Sequence, residues 1–576
     1  MGAWFNVVSV FAEPMRIRGT LPWHNFLSGP TAWDDNDYEK YFDQMKDLGL
    51  NYVTFHCYTG GAERYAPYVE PLIRMEFRNV VPEAMLDTSL TARWGYRPLP
   101  ISEFAFGTSK LFSNNQGVDA FGARCATTAR NNVERYQLAQ KQMQRVIEMA
   151  HRRGIQVGLG FEFGIHPLEF WSIVPPGAYI RGAGIPDPTH PASIEILHNT
   201  LDNLFQNYPN LDWIWLWLHE HTMYVGQPEF SPKLKALMEQ HRALFKESGG
   251  DPITFTGVWS LAYIQAAYDY IKRKSPKTGI AISGWGGGNQ LTGVLLGLNK
   301  ILPKDIVFSC LNPGMGISPQ ASFMAEIAKE RPVWAIPWLE GDSSLWHLQP
   351  RAADMLQQVK LAQSQKLDGV LAIHWRTEET QMNLDAFANA AREPEKTLSA
   401  EEFYQRYCIR QYGQRAASVI APILIRHDKT QCWQIASPEY FPYDPSWGRL
   451  DSQRRAQYTK DLDSVRSAID LTDDSFQKSN IQWLAAEYEF TLLLDEVGRK
   501  IEPAYRLKQE HFLAATPQDK SQDRFAEVRR SLKEAPLETL FKVYVSRVRS
   551  KGELGVLSSI NQRLWLQYKE LDNFLK

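Results

Sequence analysis

The stretch Leu211–His221, LDWIWLWLHEH, decides how the rest of the chain is read. Apolar and aromatic residues run without interruption from Trp213 to Leu218, then give way abruptly to His219, Glu220 and His221. A run so short and so continuously apolar predicts a strand covered on both faces, as in a parallel sheet enclosed by helices. Polar residues at the C-terminal end of such a strand are where an α/β barrel places its chemistry. Glu220 is therefore the first candidate catalytic residue.

Seven further stretches share this form. Met15–Gly29 reads as a strand ending in Trp23, His24 and Asn25, and Asn51–Tyr58 as a second ending in His56 and Tyr58. Between them, Asp34 or Asp35 caps a helix with Tyr38, Phe42, Met45 and Leu48 at helical spacing, and Gly49 ends it. This is a βαβ unit and predicts parallel pairing. The others are Ile155–Gly164 with Glu162, Gly279–Gly288 with its glycine-rich end, and Ile306–Pro313 with Asn312. Val333–Asp342 brings Trp338 and Glu340, and Gly369–Glu379 brings His374, Trp375 and Arg376. ITFTGVW (Ile253–Trp259) is strand-like but is read as an excursion after the fourth strand.

Eight such strands over residues 15–390 predict an α/β fold, a (β/α)8 TIM barrel. A long irregular insertion at about 59–131, rich in aromatic residues and arginine, is expected to fold over its top. From about Thr397 the pattern changes. EEFYQRYCIRQYG, IQWLAAEYEFTLLLDEVGRKIE and SINQRLWLQYKELDNFLK, among others, carry helical periodicity with no competing strand. The expected division is a barrel over 1–395 and an all-α C-terminal domain over 396–576, with Thr516–Asp523 an exposed linker.

Composition narrows the function. A net charge of −2 over 576 residues offers no basic field for nucleic acid. No run approaches the roughly 18 apolar residues of a membrane span. Five widely spaced cysteines without a CxxC pair argue against a disulfide framework or a zinc knuckle. The N-terminus lacks the pattern of a signal peptide, which leaves the compartment open. Eighteen tryptophans are many, and flat indole faces suit the apolar faces of sugars. The partner expected is an oligosaccharide or polysaccharide, with no nucleic acid, no membrane and no cofactor. The helical region offers a surface for a homodimer.

Two carboxylates on either side of an axial pocket are what cleavage of a glycosidic bond needs: one protonates the leaving oxygen, the other attacks the anomeric carbon or activates water. Glu162, Glu220 and Glu340 are the strand-end carboxylates that are candidates for such a pair. Apolar neighbours such as Trp213, Trp215 and Trp217 raise an acid's pKa toward neutrality. Trp23, His24, His56, Glu162, His219, Asn312, Trp338, His374, Trp375 and Arg376 are the candidate substrate-binding residues, and Glu378 and Glu379 read as loop residues. His219 and His221 flank Glu220, but no third histidine completes a zinc site, so no metal is expected.

The endings LHE (Leu218–Glu220), WLE (Trp338–Glu340) and HWR (His374–Arg376) resemble the large clan of retaining barrel glycosidases. That resemblance implies Glu220 as acid/base and Glu340 as nucleophile, although His219 stands where that clan usually has Asn. The barrel, its helical tail and GTLPWHNFLSG at the first strand are also similar to the alpha-glucuronidase and beta-hexosaminidase-like barrels. This implies an inverting alternative with Glu340 as base, in which Arg376 pairs with a uronate. The large insertion suggests a capped pocket and exo action. A catalytically silent carbohydrate-binding barrel remains the reading from a different class.

Overall fold

A computed structural model of the chain describes residues 14–24, 26–58, 72–81, 100–112, 119–166, 168–218, 228–245, 251–284, 289–314, 316–394, 398–437, 443–513 and 523–576. Eight parallel strands close into a barrel in sequence order. They are β1 Ile17–Pro22, β2 Tyr52–Cys57, β3 Gln156–Glu162, β4 Trp213–Leu218, β5 Gly279–Gly284, β6 Val307–Leu311, β7 Val333–Ile336 and β8 Gly369–His374. Closure comes from β8 pairing with β1, from Ile17 opposite Gly369 to Pro22 opposite His374. The expected (β/α)8 barrel is the fold.

Alternation along each strand sorts its side chains. On β2, Val53, Phe55 and Cys57 join the outer core under the helices, whereas Tyr52 joins the interior. On β4, Ile214, Leu216 and Leu218 face out while Trp215 and Trp217 face in. The interior is unusually aromatic. Tyr52, Trp213 and Trp215 lie within 4.9–5.6 Å of the Trp334 ring, centroid to centroid. Such bulk needs empty space opposite, and β3 supplies it. A Cβ at Gly158 would lie 3.0 Å from Trp215 Nε1, and one at Gly160 would lie 2.6 Å from Trp217 Nε1. The GLG spacing of β3 is thus the complement of the WLW spacing of β4.

The segment ITFTGVW is helical, within Asp251–Lys274. Its β-branched residues are followed by Val258, Leu261, Ile264, Ala267 and Ile271, all buried at helical spacing. Burial of that stripe overrides the local strand preference.

After the barrel the described chain is helical, and the longest helix is Ser475–Leu513. The change from strands to helices does not coincide with a change of core. Phe403, Ile420, Leu462 and Tyr488 belong to the same apolar cluster as the outer barrel layer. A second core is built from Tyr443 and from residues between Phe490 and Leu575, and takes in Phe104, Phe112 and Trp346 from barrel loops. The expected linker Thr516–Asp523 lies outside the described residues except for Asp523, which opens a helix. Among the described residues no helix is long and apolar enough to cross a membrane. Cys57, Cys125, Cys408 and Cys432 are free thiols.

Candidate active site

The indoles at the lower and middle levels of the barrel are all tied down. Trp213 Nε1 donates to Gln156 Oε1 at 3.1 Å, Trp215 Nε1 to the Tyr52 hydroxyl at 2.5 Å, and Trp334 Nε1 to Asp368 Oδ2 at 3.0 Å. The layer at the C-terminal ends of the strands differs. Trp217, Trp338 and Trp375 are buried, yet their indole N–H groups have no hydrogen-bond partner among the described residues. Both ring nitrogens of His56 and the Ser283 hydroxyl are in the same condition. Buried polar groups are nearly always paired, so a cluster of orphans in one layer marks a place where a ligand or water completes them.

The layer is contiguous. His56 stacks on Trp217 at 4.8 Å with planes 19° apart, and meets Trp23 edge-on at 4.3 Å. Trp23 lies 6.2 Å from Trp375, which lies 5.3 Å from Trp338. Tyr58, beside His56, accepts the Trp23 indole N–H at 3.2 Å. Glu162 extends this layer, with Oε1 3.7 Å from His56 Nε2. It is the acidic residue within the eight strands, and it faces inward because Val157, Leu159 and Phe161 face out. Burial holds the His56 pKa well below its usual value, as does the neighbouring His24, so the ring is a neutral donor-acceptor.

Trp23, His56, Glu162, Trp338 and Trp375 are thus brought together as expected positions on one wall. Others are not. His374 points outward. Its Nδ1–H donates to the Arg376 carbonyl at 2.8 Å, and Nε2 meets the Tyr41 hydroxyl of the Asp35–Asp47 helix at 2.7 Å. Burial lowers its pKa to about 4, so it is a neutral core histidine. His24 sits edge-on against the outward-facing Phe55 at 5.4 Å, and burial lowers its pKa to about 3. Asn312 donates its amide to Gln358 Oε1 at 2.7 Å, on the Ala352–Ser364 helix. All three end strands, yet His374 and Asn312 bond to the surrounding helices and His24 packs on the outward face of β2.

Glu340 and Arg376 also depart from expectation. Glu340 is fully buried. Its Oε1 accepts the backbone N–H groups of Trp375 at 2.8 Å and Arg376 at 2.6 Å, and its Oε2 accepts Arg376 Nε at 2.6 Å. Three of the roughly four lone-pair sites of this carboxylate are thus taken up by the turn after β8, which it clamps. Arg376 donates on to the His347 carbonyl at 2.9 Å and lies 3.6 Å from Glu379, while its Nη1 has no hydrogen-bond partner among the described residues. Glu379, read as a loop residue, is buried. Its partner Arg547 is 168 positions away, at 3.0 Å, and nothing local in the sequence announces that pair. Ser283 was also missed, although alternation from inward-facing Ala281 places it in the layer.

Glu220 and His219 lie outside the described residues, as do Asn25 and His221. No group of three or more His, Cys, Asp or Glu side chains arranged to hold a metal occurs among the described residues.

No protein-family model and no curated protein sequence matches the chain. Solved structures do. The chain is similar to a family 89 glycoside hydrolase from Clostridium perfringens in complex with PUGNAc, with TM-score 0.52 and 11% identity over 96% of this chain and 59% of that one. The complex of a Clostridium perfringens family 89 glycoside hydrolase with 2-acetamido-1,2-dideoxynojirmycin gives TM-score 0.50 at 11% identity, covering 98% and 64%. A mutant O-GlcNAc hydrolase from Thermobaculum terrenum gives TM-score 0.45 and 12% identity over 96% of each chain. At 11% identity the likeness to the two family 89 structures establishes the fold, a TIM barrel continued by a helical region.

Proposed function

We propose that this chain is a glycoside hydrolase whose sugar pocket is the upper layer of the barrel. The observation that carries this reading is the set of buried, unpartnered polar atoms on Trp217, Trp338, Trp375, His56 and Ser283. Sugar hydroxyls are both donors and acceptors, and the apolar ring faces beside those atoms match the C–H faces of a pyranose. The fold shared with glycoside hydrolases supports the same reading.

Glu220, two residues beyond the end of β4, is the proton donor in this reading. Glu162 is the second carboxylate, because it faces the layer whereas both oxygens of Glu340 are held inside the chain. The insertion after β2 supports exo action on the end of an oligosaccharide or polysaccharide.

The test is a screen of aryl glycosides and natural oligosaccharides with the wild type, Glu220→Gln, Glu162→Gln and Glu340→Gln, following the first-formed anomer by NMR. Glycan turnover that is lost in Glu220→Gln and Glu162→Gln supports the assignment, and the anomer separates retention from inversion. Saturable sugar binding without turnover by the wild type would replace the hydrolase with a binding protein. Full activity in Glu162→Gln would return the second role to another carboxylate.

A further inference from the structure

The helical region does not merely follow the barrel. It touches the loops that leave four strands at the face where the upper layer lies. After β1, the backbone of Gly552 comes so close to the chain that a Cβ there would lie 2.7 Å from the Ser28 carbonyl. In the insertion after β2, Ala105 N–H donates to Asn561 Oδ1 at 2.9 Å. After β7, Trp346 Nε1 donates to Ser559 Oγ at 3.3 Å, and His347 Nδ1 lies 3.1 Å from Thr491 Oγ1. After β8, the contact is ionic and fully buried: Arg547 to Glu379.

We propose that Arg547 is a positioning residue for the pocket, acting on Trp375 through Glu379 and Arg376. The chain of contacts is continuous. Arg547, on the Leu537–Arg547 helix, is anchored in the helical core by Glu487 and by the Tyr544 hydroxyl at 3.1 Å. It holds Glu379, and Arg376 stands between Glu379 and Glu340. Glu340 in turn holds the backbone N–H of Trp375, whose ring faces the upper layer. Every member of this chain is at most 2% exposed. Charges placed so deeply are held by one another, and removing one leaves its partners uncompensated. The turn that aims the Trp375 indole is therefore set from the helical region as well as from the barrel.

A carboxylate pair alone would not need this. Arg376 already satisfies Glu340 with a charge-assisted bond at 2.6 Å. Glu379 adds a second acidic group beside the same arginine, and it also accepts a hydrogen bond from Arg547 of the helical region at 3.0 Å. The role proposed for Trp375 as a pocket wall rests on the functional reading above. The mechanical coupling does not, and the two are measured separately.

The experiment uses the full chain labelled with 5-fluorotryptophan, with the Trp375 resonance assigned from Trp375→Phe and that of Trp215 from Trp215→Phe. The first variant is the double change Arg547→Met with Glu487→Gln, which removes Arg547 together with its anchor in the helical core and leaves Glu379 with Arg376 alone. The second is Glu379→Gln, which keeps the side-chain shape. Glu487→Gln alone is the control. We expect both variants to shift or broaden the Trp375 signal, with the Trp215 signal and the control unchanged. On any glycoside the wild type turns over, kcat/KM should fall on the order of 10–100-fold, the loss that a small misplacement produces. A Trp375 signal that stays in place in a folded Glu379→Gln or double variant would overturn the proposal. Loss of the Trp215 signal too would also overturn it, because the residue would then support the whole barrel rather than one turn.

Discussion

Glu340 Oε1 lies 2.8 Å from the backbone nitrogen of Trp375 and accepts its N–H. The carboxylate that ends the β7 segment therefore builds the pocket wall from behind, and its charge is consumed by Arg376. Removing one partner of a buried pair typically costs about 3–5 kcal/mol. Glu340→Gln should lose stability on that scale, read as a lower denaturant midpoint. A residue acting only as nucleophile would give the opposite pattern, a folded and fully stable but inactive variant.

His56 should show the reverse balance of stability and function. Its ring nitrogens have no hydrogen-bond partner among the described residues, and replacing an unsatisfied buried polar group by an apolar one of similar shape is close to neutral or stabilising. His56→Phe is expected to keep or raise the melting temperature while weakening sugar binding by roughly tenfold, the scale of one neutral hydrogen bond of about 1.4 kcal/mol. Calorimetry and a binding titration on the same preparation check both halves.

Gly160→Ala tests the packing of the barrel interior. The added methyl would stand 2.6 Å from Trp217 Nε1 and 2.9 Å from Trp215 Cβ, so a ring or a strand must shift to admit it. Overpacking of this kind costs about 1–3 kcal/mol. Gly177→Ala, where nothing lies within 4 Å, should change stability little. Equal midpoints for the two variants would contradict the close approach of β3 and β4.

Glu553 supplies a pH dependence. Burial, with the charge of Glu379 nearby, raises its carboxyl from 4.5 to about 7. The folded state thus holds the proton more tightly than the unfolded one. That contribution is complete below pH 4.5 and is lost as pH rises through 7, so stability from this group falls with rising pH. Its size is of the order of a few kcal/mol. Melting curves from pH 5 to 8 should show a shallower decline for Glu553→Gln than for the wild type, and parallel curves would contradict the assignment.

The eight strands were legible because each is a short apolar run ending in polar residues, and burial on both faces leaves that mark. The inner layer was less so. His374 and Trp375 are adjacent at the end of β8, yet strand alternation sends Ile373 and Trp375 inward and His374 out to Tyr41. Applying that period to β5 would also have found Ser283. The fate of Glu340 was not legible, because it depends on the turn after β8 bending back to offer two N–H groups. Nor was the link from Glu379 to Arg547, since periodicity carries no information about ion pairs closed by tertiary folding. The helical tail was visible as a change of pattern, yet the sharing of the barrel's core by Phe403 and Tyr488 was not.

The most direct test of the central claim is turnover of a panel of oligosaccharides by the wild type and Trp217→Phe, a substitution that removes one unpartnered N–H from the proposed pocket. The expected result is release of a monosaccharide by the wild type, with kcat/KM reduced about tenfold in a variant whose melting temperature is within a few degrees of the wild type. A wild type that turns over a glycan with Trp217→Phe unaffected would place the sugar elsewhere and contradict the claim.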